Sequence, residues 1–133
     1  MVPLFREAAA YGSERGVIIG LQNHNEVIKT AAQAIRIAEA VNSPWFGIVL
    51  DIGSLRQGDP YREIEALIPY AVSWQVKESV WVDGQERPVD LARLGAIIRR
   101  VGYRGVFPVE TLGPGDPFEK LPPFIEKVRA IVR

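Results

Sequence analysis

Gln22, Asp51, Gln75 and Glu110 each stand at the end of a short apolar run, and their side chains are two carboxamides and two carboxylates. Carboxylates accept hydrogen bonds, while carboxamides both donate and accept, so four such groups brought together form a centre able to hold a polar ligand. The alternative is local: Asp51 and Glu110 cap the loops and helices that follow them. Which reading applies depends on the elements that carry the four residues.

Leu4, Phe5, Ala8 and Tyr11 recur at helical spacing before Gly16, so the chain opens with a helix whose inner face these residues should form. Val17–Leu21 reads as a buried strand. Thr30 and Gln33 make a capping-box pattern ahead of a helix over Ala31–Val41. Phe46–Leu50 is a second strand ending at Asp51, and Asp59-Pro60 starts a helix through Leu67. Val72–Val76 is a third strand. The stretch from Lys77 to Val89 contains Asp83-Gly84 and reads as a functional or hairpin-like excursion. Asp90 caps a helix with Leu91, Leu94, Ile97, Ile98 and Val101 in one stripe, closed at Gly102. Val106–Val109 is the fourth strand, ending at Glu110. Asp116-Pro117 opens a last helix with Phe118, Leu121, Ile125, Val128 and Val132 inward, and Pro122-Pro123 threatens its first turns.

This is an α/β chain: one helix, then four strand-helix units with parallel strands. An open doubly wound sheet and half of a β/α barrel both fit that order. In either, ligands bind beyond the carboxyl ends of the strands, where the four polar residues stand. With 133 residues and 47% hydrophobic composition the chain reads as one domain, 1–133, too short for a complete eight-stranded barrel. Sixteen basic and sixteen acidic residues cancel, which removes the electrostatic case for nucleic acid. No apolar run is long enough for a membrane span, no leader pattern precedes the first helix, and cysteine is absent, so a cytoplasmic location is expected. No glycine-rich nucleotide motif follows a strand, and no nucleotide cofactor is expected.

Val-Ile-Ile-Gly-Leu-Gln-Asn-His-Asn at 17–25, Gly-Ile-Val-Leu-Asp-Ile-Gly-Ser at 47–54, Trp-Gln-Val-Lys-Glu at 74–78 and Val-Gly-Tyr-Arg-Gly-Val-Phe-Pro-Val-Glu at 101–110 closely resemble the carboxyl-terminal half of the sugar phosphate isomerase/epimerase family, the xylose isomerase-like TIM barrels. The resemblance covers nearly the whole chain. It implies that these are the fifth to eighth strands of a barrel. It also implies a divalent cation, manganese, magnesium, cobalt or zinc, held by Glu, Asp, His and Glu at the strand ends. Asp51 and Glu110 match two of those ligands. Gln22 stands in place of the first Glu, Gln75 in place of the His, and Ser54 in place of a His commonly found three residues after the Asp. An amide oxygen is a weaker donor to a hard cation than a carboxylate, so these changes should reduce or abolish metal affinity. In the family's epimerases two Glu form a facing acid/base pair. Gln22 cannot exchange a proton near neutral pH, which leaves Glu110 as the remaining acid/base group.

Two residues offer compensation. His24, two positions past Gln22, lies on the same face if the strand continues, and would supply a nitrogen ligand. Lys77, two positions past Gln75, would place an ammonium between Asp51 and Glu110 instead of a metal cation; the alternative is an exposed loop lysine. Trp45, Trp74 and Trp81 are candidates to line a sugar pocket, Trp81 foremost because it lies in the long loop, whereas Trp45 starts a buried strand and reads as core. Arg56 is a candidate for an anionic substrate group; the alternative is an exposed salt-bridging arginine. Gly113-Pro114-Gly115-Asp116 reads as a turn, since Pro114 lacks an N–H and Asp116 repels phosphate.

Half a barrel leaves two raw sheet edges and an inner face, expected to be apolar through Ile19, Leu21 and Val49 or their neighbours, that must be covered. A homo-oligomer, a separate complementary barrel half and a flattened open sheet are the three resolutions, with self-association expected. Two functions follow. One is a sugar or sugar-phosphate isomerase/epimerase working through an enediolate with a depleted metal site. The other is a non-catalytic sugar-binding or barrel-completing domain. A metal-dependent endonuclease reading is disfavoured by the zero net charge and the few His residues.

Overall fold

The computed structural model describes residues 1–132. Helix α1 (Val2–Ser13) leads into β1 (Ile19–Gln22), α2 (Ala31–Val41) and β2 (Phe46–Asp51), which ends in a short 3-10 turn at Ile52–Ser54. Helix α3 (Pro60–Leu67) and β3 (Ala71–Lys77) follow. A hairpin of β4 (Ser79–Val82) and β5 (Gln85–Pro88) precedes α4 (Leu91–Val101), β6 (Val109–Glu110) and α5 (Pro117–Val132).

The main sheet has four strands in the order β1-β2-β3-β6, all parallel. Each new strand joins on the same side of the last, without the reversal that a doubly wound sheet requires. Ile48, Leu50, Trp74 and Val76 are fully buried in one core with Ile64, Leu67, Leu94, Ile98 and Val128 of α3, α4 and α5. All four later helices therefore cover one face, as on the outside of a β/α barrel, and the chain has the architecture of half a barrel.

Local chemistry explains the helix starts. Thr30 and Gln33 form the reciprocal capping box, with 3.3 Å and 3.2 Å bonds. Asp59, Asp90 and Asp116 each accept a first-turn N–H, from Tyr61, Arg93 and Phe118. The excursion after β3 is a hairpin turning on Asp83 and Gly84, both at positive φ, the conformation a two-residue hairpin turn requires.

Several expectations are corrected. Helix α1 buries Ala9 and Gly12 and stacks Phe5 on Phe46 with ring centroids 5.2 Å apart, whereas Leu4 and Tyr11 are exposed. Its inward stripe is thus rotated from the one expected. The first strand starts at Ile19; Val17 is drawn off to the end of α1, where its N–H meets the Gly12 carbonyl at 2.9 Å. The fourth strand shrinks to Val109–Glu110 because Pro108 has no N–H to extend the ladder and Phe107 turns into an aromatic cluster with Trp74 and Tyr103. Phe118 is 89% exposed, and Val101 also reaches solvent. Helix α5 runs through Pro122 and Pro123, both on its exposed face, where water can bond the carbonyls they leave free.

The inner face follows the expectation at Val49 but not at Ile19 and Leu21. Ile19 and Leu21 pack toward the helices, Ile19 beside Gly12 of α1. The opposite face carries Gly20, Gly47, Val49 and Val72: a Cβ on Gly20 would lie 2.7 Å from Val49 Cγ2 and 3.6 Å from Val72 Cγ2, and one on Gly47 would overlap Val72. Glycines and valines line this part of the axial face, with the polar strand ends beyond them.

Candidate functional site

Asp51 closes β2 and is completely buried. Asn23, also buried, holds its backbone on both sides: Asn23 Nδ2 donates to the Asp51 carbonyl and the Asp51 N–H donates to Asn23 Oδ1, each at 2.9 Å. The side chain is then saturated. Oδ1 accepts the Gly53 N–H at 3.0 Å, and Oδ2 accepts Ser54 Oγ at 2.7 Å, Gln22 Nε2 at 3.0 Å and Lys77 Nζ at 2.9 Å. Gln22 Nε2 also donates to Gln75 Oε1 at 2.6 Å.

Lys77 is the last residue of β3, opposite Glu110 in the ladder and with its side chain 11% exposed. Its Nζ lies 3.5 Å from Glu110 Oε2, which is buried and makes no hydrogen bond. The ammonium therefore stands between the two carboxylates. Gly53 makes room for its stem, since a Cβ there would lie 2.6 Å from Lys77 Cδ. Burying the Asp51 carboxylate is costly without a counter-charge, and Lys77 supplies one.

Lys77 also lines a cleft of about 640 Å³, together with His24, Arg56, Glu78, Trp81 and Glu86. The Arg56 guanidinium carbon sits 4.1 Å from the centre of the Trp81 ring. Thr111 Oγ1 donates to Glu78 at 2.6 Å and Lys120 Nζ lies 3.4 Å from the same oxygen, tying the loop after β6 to the end of β3. The Thr111 hydrogen bond, opposed by partial burial and helped by Lys120, holds the Glu78 carboxyl below its ordinary range.

The structure thus sorts the sequence candidates into two zones joined at Lys77. Gln22, Asp51, Gln75 and Glu110 form a polar centre on the axial face. His24, Arg56 and Trp81 line the cleft. His24 does not join the centre: β1 ends at Gln22, and the imidazole is half exposed with Nδ1 3.6 Å from Glu26. Trp74 is fully buried in the aromatic cluster and Trp45 packs against the α1 contact, so neither lines the cleft. Asn23, Gly53 and Glu78 were not anticipated; nothing in their local sequence marks them, because their roles depend on strand ends that the fold brings together.

The donor set does not suit a divalent cation. Both Asp51 oxygens are taken, two of the four strand-end groups are neutral amides, and the ammonium fills the space between the carboxylates. Among the described residues no cluster of three or more His, Cys, Asp or Glu could hold a metal. No described helix is long and apolar enough to cross a membrane.

The family model described as xylose isomerase-like TIM barrel matches residues 1–129. No curated protein matches the chain. Among solved structures, a xylose isomerase domain protein from Planctomyces limnophilus is 19% identical with a TM-score of 0.80, covering 98% of this chain and 52% of its own. A D-psicose 3-epimerase with D-tagatose from Clostridium cellulolyticum H10 is 17% identical with a TM-score of 0.70, over 98% of this chain and 52% of its own. A xylose isomerase-like TIM barrel protein from Mycobacterium smegmatis in complex with magnesium is 19% identical with a TM-score of 0.73, over 99% and 50%. The chain spans about half the length of the structures it matches.

Proposed function

We propose that this chain, which belongs to the xylose isomerase-like TIM barrel family, forms half of a sugar isomerase/epimerase-type site in which Lys77, rather than a divalent cation, bridges Asp51 and Glu110. The observation that carries this reading is the ammonium at 2.9 Å from Asp51 and 3.5 Å from Glu110.

Glu110 is the acid/base group, with one oxygen free of hydrogen bonds. Its carboxylate takes the proton from the carbon beside the sugar carbonyl. The C–H electron pair becomes the C=C bond, and the carbonyl oxygen becomes an enediolate oxygen that a Lys77 N–H stabilises. Lys77 gives that oxygen a proton and accepts the proton of the neighbouring hydroxyl, whose carbon becomes the new carbonyl. Glu110 then returns its proton to the former carbonyl carbon. Gln22 and Gln75 orient hydroxyls. Because Gln22 cannot carry a proton, no second acid/base group serves the opposite face. Transfer on one face suits aldose–ketose interchange better than inversion at a single carbon.

The missing second carboxylate also favours the other reading, a non-catalytic sugar-binding or barrel-completing domain. Incubation with D-tagatose in deuterated buffer containing a chelator separates the two. The expected result is deuterium entering a carbon beside the carbonyl, followed by proton NMR and lost in Glu110→Gln. No incorporation by the unmodified protein into D-tagatose, D-fructose 6-phosphate or D-glucuronate would exclude the catalytic reading. A second copy of this chain is the proposed complement that closes the ring.

A further inference from the structure

Of the cations lining the cleft, Lys77 has carboxylate partners and Arg56 has none among the described residues. Lys77 faces Asp51 and Glu110, Glu78 faces Lys120, and His24 lies beside Glu26. Glu86 accepts the Ser79 hydroxyl. Arg56 has no carboxylate within 4.0 Å among the described residues; its neighbour is the Trp81 ring. An arginine laid on an indole is held by cation–π attraction at its face, while its in-plane N–H donors remain available. Those donors match the two oxygens of a carboxylate or of one edge of a phosphate. Both residues are set by the chain's own excursions, Arg56 by the loop after the Asp51 turn and Trp81 by the β4–β5 hairpin.

We infer that Arg56, seated on Trp81, is the receptor for an oxyanion substituent, phosphate or carboxylate, on the ligand of this cleft. The inference rests on the reading of the cleft as a sugar site, with the ligand's carbonyl end at Lys77 and its charged end at Arg56. The volume of about 640 Å³ lies within the range of small-molecule sites and accommodates a monosaccharide bearing one such group. A neutral ligand would leave the guanidinium without an anionic partner.

Calorimetric titration with D-fructose 6-phosphate, D-glucuronate and D-tagatose, on the unmodified protein and on Arg56→Gln, tests this. At least one anionic sugar should bind more tightly than D-tagatose, and Arg56→Gln should reduce that preference by about tenfold or more. Arg56→Lys, which keeps the charge and loses the planar fork, should fall between. The phosphate and carboxylate arms identify which oxyanion the cleft takes. Arg56 is exposed, so the variants should keep the unmodified unfolding midpoint. Equal affinity for neutral and anionic sugars, no binding of either anionic sugar, or a preference that survives Arg56→Gln would overturn the inference. Arg56-dependent anion binding without deuterium exchange would count against catalysis and leave this receptor standing.

Discussion

Lys77→Met is expected to destabilise the fold by about 3–5 kcal/mol in urea unfolding, the usual range when one partner of a buried ion pair is removed. Methionine retains an apolar stem beside Gly53, so packing changes little; what disappears is the ammonium 2.9 Å from a fully buried Asp51. Asp51 would keep its bonds from Gly53, Ser54 and Gln22, which soften but do not replace the lost charge. Adding Asp51→Asn should therefore recover much of the loss, because the uncompensated charge is then gone. A loss below about 1 kcal/mol, the range of exposed pairs, would mean that Lys77 is not the counter-charge of this centre. Deuterium exchange should vanish with Lys77→Met in either case, since the enediolate would lose its donor.

The unmodified protein is expected to have a solution mass of two chains. The reason lies at the sheet's edges. Beside the unpaired edge of β1, Val17 and Ile18 are about half exposed, with Leu4 and Tyr11 of α1 also exposed. Beside the unpaired edge of β6, Val106, Leu112 and Phe118 are exposed. A two-fold axis parallel to the strands would set β1 of each protomer against β6 of its partner, keep every pairing parallel and cover both edges at once. Such a ring would also close over the polar axial face. Light scattering after size exclusion should give the doubled mass, and Ile18→Lys should shift it toward one chain. A single-chain mass at working concentration would mean that the edges are covered in some other way.

Much of this architecture was legible because parallel strands are nearly continuous apolar runs that stop abruptly at a polar residue. That is how Asp51, Gln75, Glu110 and Gln22 stand out, and the period of two carried the argument from Gln75 to Lys77. The same step failed to bring His24 to the centre, because β1 ends at Gln22 and Asn23 turns inward to hold the Asp51 backbone. Periodicity was silent on which apolar residues face the helices. Ile19 and Val49 look alike in sequence, yet the register of β1 on β2 sends Ile19 toward α1 and leaves Val49 beside Gly20 on the axial face. The aromatic cluster of Trp74, Tyr103 and Phe107, which shortens the last strand, depends on contacts between distant segments.

The central claim is that the Lys77 ammonium, not a metal cation, occupies the space between Asp51 and Glu110. Titration with manganese by calorimetry near neutral pH tests it most directly, run on the unmodified protein, Asp51→Asn and Glu110→Gln. The account predicts no binding up to millimolar manganese, because the cation would have to displace a charged group already paired with both carboxylates. Manganese binding that both substitutions abolish would contradict it, and would place a working metal centre where Lys77 now stands.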